Sequence, residues 1–455
     1  MRDVLLTLFV AALLPVAFKR PWVGALLFAW MSIMNPHKLT WGFANGFPWA
    51  QLIAIVTLTG FLFAHRERKR FPMSGLTVVY MMLILWMTVT SFFALGLPEW
   101  IQARWIFVMK IHLMILVTLV LIRGRRQIDW LVWVVVGSVA FYGVKGGVFT
   151  VMTGGSGRVW GPPGGMIEDN NALAVALVMM VPLLYYLIST NPRRWVKISL
   201  WLCLVSMGLA ILGTQSRGAL LALVAMAAML GLKSKHPVRA SLVIVFAVLV
   251  AVAFMPDSWS TRMDTIQNYQ ADSSAMTRIY SWLTQWNLAL DRPLVGGGFG
   301  TDTLSVFRRY APTEAPFNIY TGTVWVAHNI YFQALGEHGF VGLGLFIMLG
   351  FLTWRMASSV SKRAAADGDS GDWAPLLMRM CQVSLVGYAI GGSFLSLMNL
   401  DVIYYLMAVI VMTDATLREA QSARVKASPA PLSPPAKVAQ SPSNPRTAGQ
   451  PAMRP

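Results

Sequence analysis

Long apolar runs, separated by short polar connections, recur along almost the whole sequence. A helix needs about 20 mostly apolar residues to cross the hydrocarbon core of a bilayer. Thirteen runs reach or approach that length, near residues 3–18, 22–35, 48–64, 76–96, 105–122, 128–152, 171–189, 196–213, 218–232, 239–255, 339–356, 374–396 and 401–415. Charged residues make up 12% of the chain, about half the share in a soluble domain. The sequence therefore predicts an all-α polytopic membrane protein with about twelve transmembrane helices, or thirteen if both short initial runs cross.

Basic clusters mark every second connection between these runs. They are residues 65–70, 123–126, 193–194, 233–239 and 362–363. Cytoplasmic loops of membrane proteins carry an excess of Lys and Arg, so all of these clusters are predicted to face the cytoplasm. The alternate connections are then periplasmic, at residues 98–104, 154–170, 215–217, 255–329 and 399–401. We expect a multi-pass protein of a bacterial inner membrane whose net charge of +18 lies in loops, with no role in nucleic-acid binding.

Composition divides the chain into four regions. Residues 1–255 contain the first transmembrane helices, about ten in number, and residues 256–330 form a periplasmic loop domain with amphipathic helices. Residues 331–418 contain the C-terminal transmembrane helices. Residues 419–455 are rich in Pro, Ala, Ser and basic residues and have few large apolar side chains. Such a segment buries too little surface to offset its ordering entropy, so a disordered cytoplasmic tail is predicted.

The sequence indicates neither a disulfide nor a metal site. Cys203 and Cys381 each lie inside an apolar run, without CxxC or Cys/His spacing nearby, and are predicted to be packing residues. No Asp-x-Asp pair falls in a predicted periplasmic segment. We therefore expect chemistry without a metal or another cofactor.

The long connection and the run that follows it contain several short motifs. An Arg-x-x-x-Trp helix begins at Thr277 and stops at Asp291–Pro293. The next motif is a glycine turn, Gly296–Gly300. It follows no strand and lacks Lys-Ser/Thr, so it is not a phosphate-binding fingerprint. His-Asn then precedes an aromatic helix within Ala327–Gln333, and Glu-x-Gly enters the next run within Gly336–Gly339.

Together these motifs resemble the O-antigen ligase and polymerase superfamily of envelope glycosyltransferases. Gln215–Ala219 resembles the Ser-Arg-Gly signature of that superfamily, and Glu168–Ala172 resembles its Glu-Asp-Asn-Ala element. The resemblance covers about residues 160–345. Met34–Lys38 is also similar to ligases found beside exosortase systems, so the acceptor stays open. The resemblance implies a GT-C-like fold and a donor glycan carried on undecaprenyl diphosphate, without a nucleotide sugar.

Arg217, Arg278 and His328 are the candidate catalytic residues, and the loop charges alone place all three on the periplasmic side. Planar Arg side chains bind diphosphate oxygens in a bidentate way that Lys cannot match. His328 is the candidate base for an acceptor sugar hydroxyl. Structural alternatives exist for each. Arg217 would snorkel from a helix end, Arg278 would pair with Asp264 or Asp272, and His328 would merely precede a helix.

Further residues are predicted to bind substrate: Arg104, Lys145, Arg158, Glu168 and Asn329. Lys145 would line a donor cavity with Arg104, or Lys145 would snorkel to the membrane surface. Glu168 and Asp169 hold an arginine or orient the acceptor in one interpretation, and cap the next helix in the other. His338, in a Gly-Glu-His-Gly context, is assigned a structural role.

These features predict an enzyme that transfers O-antigen from undecaprenyl diphosphate to a lipid A core sugar, with inversion at the anomeric carbon. Its expected partners are the lipid-linked glycan donor, the lipid A core acceptor and membrane lipids, and a monomer is expected. A repeat-unit polymerase and a protein O-oligosaccharyltransferase are the nearest alternatives. A transporter of an anionic envelope lipid is a more distant one, since arginines in a cavity would also serve it.

Overall fold

The computed structural model describes residues 1–63, 70–233, 273–313, 315, 324–367 and 372–427. Within these ranges the chain is helical and contains no β-strand, so the predicted all-helical class is confirmed for them. Their α-helices are α1 (Arg2–Lys19), α2 (Pro21–Met34), α3 (Trp49–Phe63), α4 (Gly75–Ser91), α5 (Pro98–Leu121), α6 (Arg125–Met152), α7 (Asn170–Thr190), α8 (Arg194–Gly213), α9 (Arg217–Lys233), α10 (Ser273–Asp291), α11 (Leu304–Tyr310), α12 (Ile330–Ala366), α13 (Trp373–Gly391) and α14 (Asp401–Ala427). Short 3-10 helices at Pro36–Leu39 and Gly392–Phe394 follow α2 and α13.

Among the described helices, six are long and apolar enough to cross a membrane. They are α5, α6, α7, α8, α12, and α13 with its 3-10 extension. The apolar helices α2, α3 and α4 are shorter, with 14, 15 and 17 residues. The chain is therefore a multi-pass membrane protein. The total number of spans and the GT-C-like arrangement stay predictions, and the run at 239–255 lies outside the described residues.

Several helix boundaries differ from those that the apolar runs predicted, and two of them have a local cause. α5 begins at Pro98 and not near residue 105, because Pro is favoured at the first position of a helix and Glu99 stabilises its first turn. α14 continues to Ala427, beyond the predicted start of the tail at residue 419. This segment is rich in helix-forming residues, and the first proline comes only at Pro429. Residues 428–455 lie outside the described part of the chain.

α7 is the most buried of the candidate spans. Of its most apolar window, 83% is buried inside the protein, and α7 contacts α6, α8, α9 and α13. Beside it, small residues let α6 and α8 approach closely: a Cβ atom on Gly147 would lie 2.2 Å from the carbonyl oxygen of Ser206. Close approach at small residues is a common way for membrane helices to pack. The core is therefore built around α7.

The connections gather at the two ends of α6. Where α6 begins, the guanidinium of Arg123 donates to the carbonyl of Arg70 at 3.1 Å. The N–H of Gly124 donates to Thr416 Oγ1 at 3.0 Å in the same region. We call this end, which contains Arg70, Arg123–Arg126 and Thr416, the basic end. It unites connections that the charge pattern predicted to share one side of the membrane.

The opposite end of α6 leads into the loop that holds Val159, whose N–H donates to the carbonyl of Gly213 at 3.1 Å. There the side-chain amide of Asn170 donates to the carbonyl of Thr214 at 2.7 Å. We call this end, which contains Val159, Asn170 and Gly213–Arg217, the site end. It too joins connections that were predicted to lie on the same side.

Candidate functional site

The helix that carries Arg278 is anchored to the segment just before His328. Trp282 Nε1 donates to the carbonyl of Ala327 at 2.7 Å, and its ring stacks on Phe332 with centroids 5.5 Å apart and planes 2° apart. One residue earlier, Ser281 Oγ donates to the carbonyl of Val326 at 3.1 Å. The Arg-x-x-x-Trp spacing places Arg278 one turn before this anchor. The tryptophan of the motif thus holds the helix in place beside His328.

His328 occupies a backbone conformation that few non-glycine residues adopt, with φ at 45°. Its N–H donates to Ser396 Oγ at 2.8 Å. The next residue, Asn329, is the N-cap of α12 and accepts from the N–H groups of Tyr331 and Phe332 at 2.8 and 3.2 Å. A cap removes the cost of unpaired amides at a helix start. His328 is therefore held at the edge of a rigid turn.

Two oppositely charged groups act on the imidazole of His328. Burial lowers its pKa below the ordinary value, the positive charge of Arg278 lowers the pKa further, and Asp169 acts in the opposite direction. The net effect keeps His328 neutral near pH 7, the state in which a nitrogen can accept a proton. Residues from three distant parts of the chain are thereby brought within electrostatic reach of each other.

Arg217 stands at the start of α9, directly after a tight turn. Gln215 has φ at 54°, and its side chain accepts from Arg158 Nε at 3.3 Å and donates to the carbonyl of Gly155 at 3.2 Å. Ser216 Oγ accepts from the N–H of Ala219 at 3.3 Å. The Gln-Ser-Arg signature thus forms a turn that the side chains of Gln215 and Ser216 stabilise. Arg217, which is half-buried, begins α9.

The segment after α13 connects Arg217 to His328 in space. A Cβ atom on Gly218 would lie 3.0 Å from Phe394, so α9 begins against this residue. The carbonyl of Ser393 accepts from Asn329 at 2.9 Å, and Ser396 contacts His328 as described above. The start of α9, next to Arg217, and the turn of His328 therefore both adjoin residues 393–396, and the charge of Arg278 reaches His328.

The acidic residues before α7 have separate structural partners. Asp169 caps α7 by accepting from the N–H groups of Asn171 and Ala172 at 2.8 and 3.2 Å. Glu168 Oε2 accepts from the N–H of Gly164 at 2.8 Å, which closes its own loop. The capping interpretation therefore holds for Asp169, while its charge still reaches His328. Glu168 and Arg158 are both exposed. Their contact with substrate stays a prediction.

Asn329, Arg104 and Lys145 differ in their surroundings. The amide of Asn329 is buried and used by the cap, so contact with substrate stays a prediction. Arg104 is exposed on α5, 6.0 Å from the Phe107 ring centroid, and its charge reaches the buried Glu337. Lys145 is exposed on the side of α6 opposite the glycines that pack on α8. A cavity that Lys145 and Arg104 share stays a prediction.

His338 is fully buried and holds the glycine turn against α4. Its Nδ1 lies 2.7 Å from Thr90 Oγ1, its ring meets Phe299 edge-on at 5.0 Å, and its carbonyl accepts from Trp86 at 3.0 Å. Gly296, which has φ at 60°, is one of several residues of that turn with positive φ. These contacts support the structural role assigned to His338 and the interpretation of Gly296–Gly300 as a turn.

Sequence reasoning missed two features of the site end. Asn399 is buried, and no polar atom of its side chain has a hydrogen-bond partner within the described ranges. The loop that contains Gly165 also contacts the Met34–Lys38 motif, because a Cβ atom placed on Gly165 would lie 3.0 Å from Asn35 Nδ2. A polar residue in the four-residue gap between two apolar runs was the only signal for Asn399. Nothing in the sequence pattern indicated the second contact.

The described residues include no group of three or more His, Cys, Asp or Glu side chains that could hold a metal ion. The candidate site instead combines a neutral imidazole, two arginines and a carboxylate at one end of an apolar helical bundle. The fold and this site define a multi-pass membrane protein with a charged cluster at the end of its spans.

Comparison with known families names the class. Residues 202–347 match the O-antigen ligase family, and residues 1–192 match a family of unknown function, DUF5935. The match over residues 202–347 supports the O-antigen ligase superfamily, which the motifs predicted. No curated protein matches the chain. Arg217, Arg278, His328 and Asn329 fall inside the O-antigen ligase match, whereas Arg104, Lys145, Arg158 and Glu168 fall inside the other.

Proposed function

We propose that this protein is a glycosyltransferase that moves O-antigen from undecaprenyl diphosphate to a lipid A core sugar, at the periplasmic face of the inner membrane. The observation that carries the proposal is the position of His328, which lies within the O-antigen ligase match and within reach of the charges of Arg278 and Asp169. A base next to cationic groups suits transfer from a lipid diphosphate, because the reaction needs both proton removal and charge neutralisation.

His328 serves as the base in this mechanism. Its lowered pKa leaves the ring neutral, so the ring accepts the proton of the acceptor hydroxyl as the oxygen attacks the anomeric carbon. The bond from that carbon to the diphosphate oxygen breaks in the same displacement. One in-line step inverts the anomeric carbon. Asp169 stabilises the imidazolium that forms, since its negative charge favours the protonated ring.

Arg217 and Arg278 bind the diphosphate. Charge builds up on the leaving diphosphate as the glycosidic bond breaks, and fixed guanidinium groups stabilise it without a metal ion. A guanidinium also presents two parallel donors to phosphate oxygens, which orients the leaving group. Both residues begin or lie near the start of their helices, α9 and α10, at the site end.

An apolar groove beside the site is suited to the polyprenyl chain of the donor. It has a volume of about 330 Å³ and runs between α12, α13 and α14, from Ile330 and Tyr331 to Trp354. Ile330 follows Asn329 directly, so the groove begins at the candidate site. Its polar groups are satisfied internally: Tyr331 donates to Ala389 at 3.2 Å and Thr353 to Leu349 at 2.6 Å. Such walls favour a hydrocarbon chain over water.

Purified full-length protein, reconstituted with lipid-linked O-antigen, tests the proposal. Three acceptors are supplied separately: lipid A core, a lipid-linked repeat unit, and a Ser/Thr peptide. Glycosylation of lipid A core supports the ligase. Product on the repeat unit alone identifies a polymerase, and product on the peptide alone identifies a protein O-oligosaccharyltransferase. Absence of product with all three, by an otherwise folded protein, contradicts the proposal.

The arginine roles predict an effect of a charge-conserving change. Arg217→Lys and Arg278→Lys keep the charge but lose the planar pair of donors, so each should lower kcat about tenfold or more. Arg194→Lys, an exposed position at the other end of α8, is the matched control and should retain activity. Initial rates with lipid-linked donor measure the effect. Wild-type rates in both site variants would show that these arginines merely snorkel.

A further inference from the structure

A second cavity, of about 730 Å³, lies at the basic end, far along α6 from the candidate site. It is bordered by the start of α6 and by the turn between α7 and α8. Arg125, Arg126 and Arg193 line it, with Asp129 as the acidic residue in its wall. The cavity shares no lining residue with the apolar groove or with the site residues discussed above.

The positive charge of this cavity exceeds what its carboxylate offsets. Asp129 Oδ1 accepts from the hydroxyl of Tyr186 at 2.6 Å, and Oδ2 lies 3.5 Å from Arg125 Nε. Arg125 also lies over the ring of Trp373, 5.5 Å from its centroid. Within the described part of the chain, the guanidinium groups of Arg126 and Arg193 make no ion pair or hydrogen bond. Two arginines are thus available to a ligand.

Backbone amides add to the attraction for an anion. α6 and α8 both begin at this cavity, after Gly124 and Arg193, and neither N-cap residue supplies a side-chain cap. No acidic residue lies in the first turn of either helix. Two helix N-termini with their positive dipole ends therefore meet at this cavity, and Asp129 is the single carboxylate of its lining.

The rest of the lining is mostly apolar and aromatic, with Thr190 and Asn191 as its polar members. Trp130, Trp133, Leu187 and Val196 line the cavity, and Trp130 is 48% exposed. Indole rings favour the boundary between headgroups and hydrocarbon. A ligand with a phosphate at one end and acyl chains at the other fits both parts of this cavity, whereas inorganic phosphate would use only the arginines.

We propose that this cavity binds the headgroup of an anionic phospholipid, in the membrane leaflet on the side of the basic loops. Arg126 and Arg193 contact the phosphate, the amides of α6 and α8 face it, and the acyl chains lie along Trp130 and Trp133. Basic pockets between membrane helices are known to hold such headgroups. The proposal is independent of the catalytic function and holds whether or not the chain is a ligase.

The experiment measures lipid retained by purified full-length protein, using native mass spectrometry after addition of phosphatidylglycerol or phosphatidylcholine. Wild-type protein should retain phosphatidylglycerol in preference. The double variant Arg126→Gln, Arg193→Gln should lose this preference, with an affinity about tenfold weaker or more. The control Arg20→Gln, Arg194→Gln removes the same charge from exposed positions outside the cavity and should retain the preference.

Two results would overturn the proposal. The first is equal lipid retention by the double variant and its control, which would mean that the lipid responds to overall charge. The second is thermal stabilisation by inorganic phosphate equal to that by phosphatidylglycerol, which would identify a site for the free ion. If the double variant does not fold, Thr190→Trp fills the cavity without removing charge and should lower retention in the same way.

Discussion

At the scale of single residues, the environment of His328 determines what the site can do. The imidazole is half-buried between a guanidinium and a carboxylate that shift its pKa in opposite directions. Neither neighbour is close in sequence, and Asp169 also caps α7. The protonation state of His328 therefore depends on three parts of the chain that only the fold brings together.

These opposed charges predict two pH profiles with opposite shifts. Asp169→Asn keeps the oxygen that caps α7 but removes the charge that favours imidazolium, so the pKa of His328 should fall. The acidic limb of the activity profile should then move to lower pH. Arg278→Gln removes the charge that disfavours imidazolium, so the pKa of His328 should rise. The acidic limb of the remaining activity should then move to higher pH. Profiles that shift in the same direction would contradict this account of the pKa.

Much of the site was predictable from single residues, because the arginines and the histidine sit in recognisable motifs. Loop charges predicted that Arg217, Arg278 and His328 share one side of the membrane. In the structure the start of α9 and the turn of His328 adjoin residues 393–396, and the charge of Arg278 reaches His328. Lys145 lies on the exposed side of α6, and its contact with substrate stays a prediction. The burial of Asn399 could not be predicted, because a single amide residue in a short turn has the same sequence context as a cap or linker residue.

At the scale of elements, the break inside α12 shapes both the site and the groove. Gly339 has φ at 68°, and a Cβ atom there would lie 2.2 Å from the carbonyl oxygen of Leu294. The rings of Tyr331 and Phe346 are 6.4 Å apart, whereas 15 residues of straight helix span about 22 Å. The chain therefore turns sharply at this glycine, and the two parts of α12 enclose the groove with α13 and α14.

The groove predicts a dependence on the length of the donor lipid. Gly350 lines it, and no atom lies within 4 Å of a Cβ placed there, so Gly350→Phe should fill the groove without disturbing the fold. The variant should raise KM for a donor with the full polyprenyl chain and leave KM for a short-chain donor unchanged. Gly344→Phe, equally open but outside the groove, is the control. An equal KM in both variants would exclude the groove as the chain site.

Helix types were predictable from the apolar runs, and helix ends were less so. The class of α1 to α9 follows from hydrophobic length alone, which is the strongest constraint on a membrane chain. The start of α5 at Pro98 and the end of α14 at Ala427 depend on local propensities of polar residues, which the search for apolar runs ignores. Packing partners such as Gly147 and Ser206 depend on tertiary contacts and left no periodic signal.

At the scale of the whole molecule, polar connections collect at two ends, one basic and one with the candidate site. The structure supports the grouping, and the orientation in the membrane stays a prediction. Reporter fusions at residues 70, 125 and 193 should read cytoplasmic, and fusions within 265–320 periplasmic, because Lys and Arg are retained on the cytoplasmic side. A cytoplasmic reading within 265–320 would place Arg278 away from a periplasmic acceptor and contradict the proposed mechanism.

The central claim is that His328, and not His338, is the base. His328→Ala and His338→Ala are compared by transfer from lipid-linked donor, at equal amounts of folded protein, with donor binding measured in parallel. His328→Ala should lower turnover about a hundredfold to ten-thousandfold while donor binding persists, because both arginines remain. His338→Ala should lower the melting temperature, since it removes the contacts with Thr90 and Phe299, and leave turnover near wild type. Equal turnover in the two variants, or the reverse order, would contradict the account.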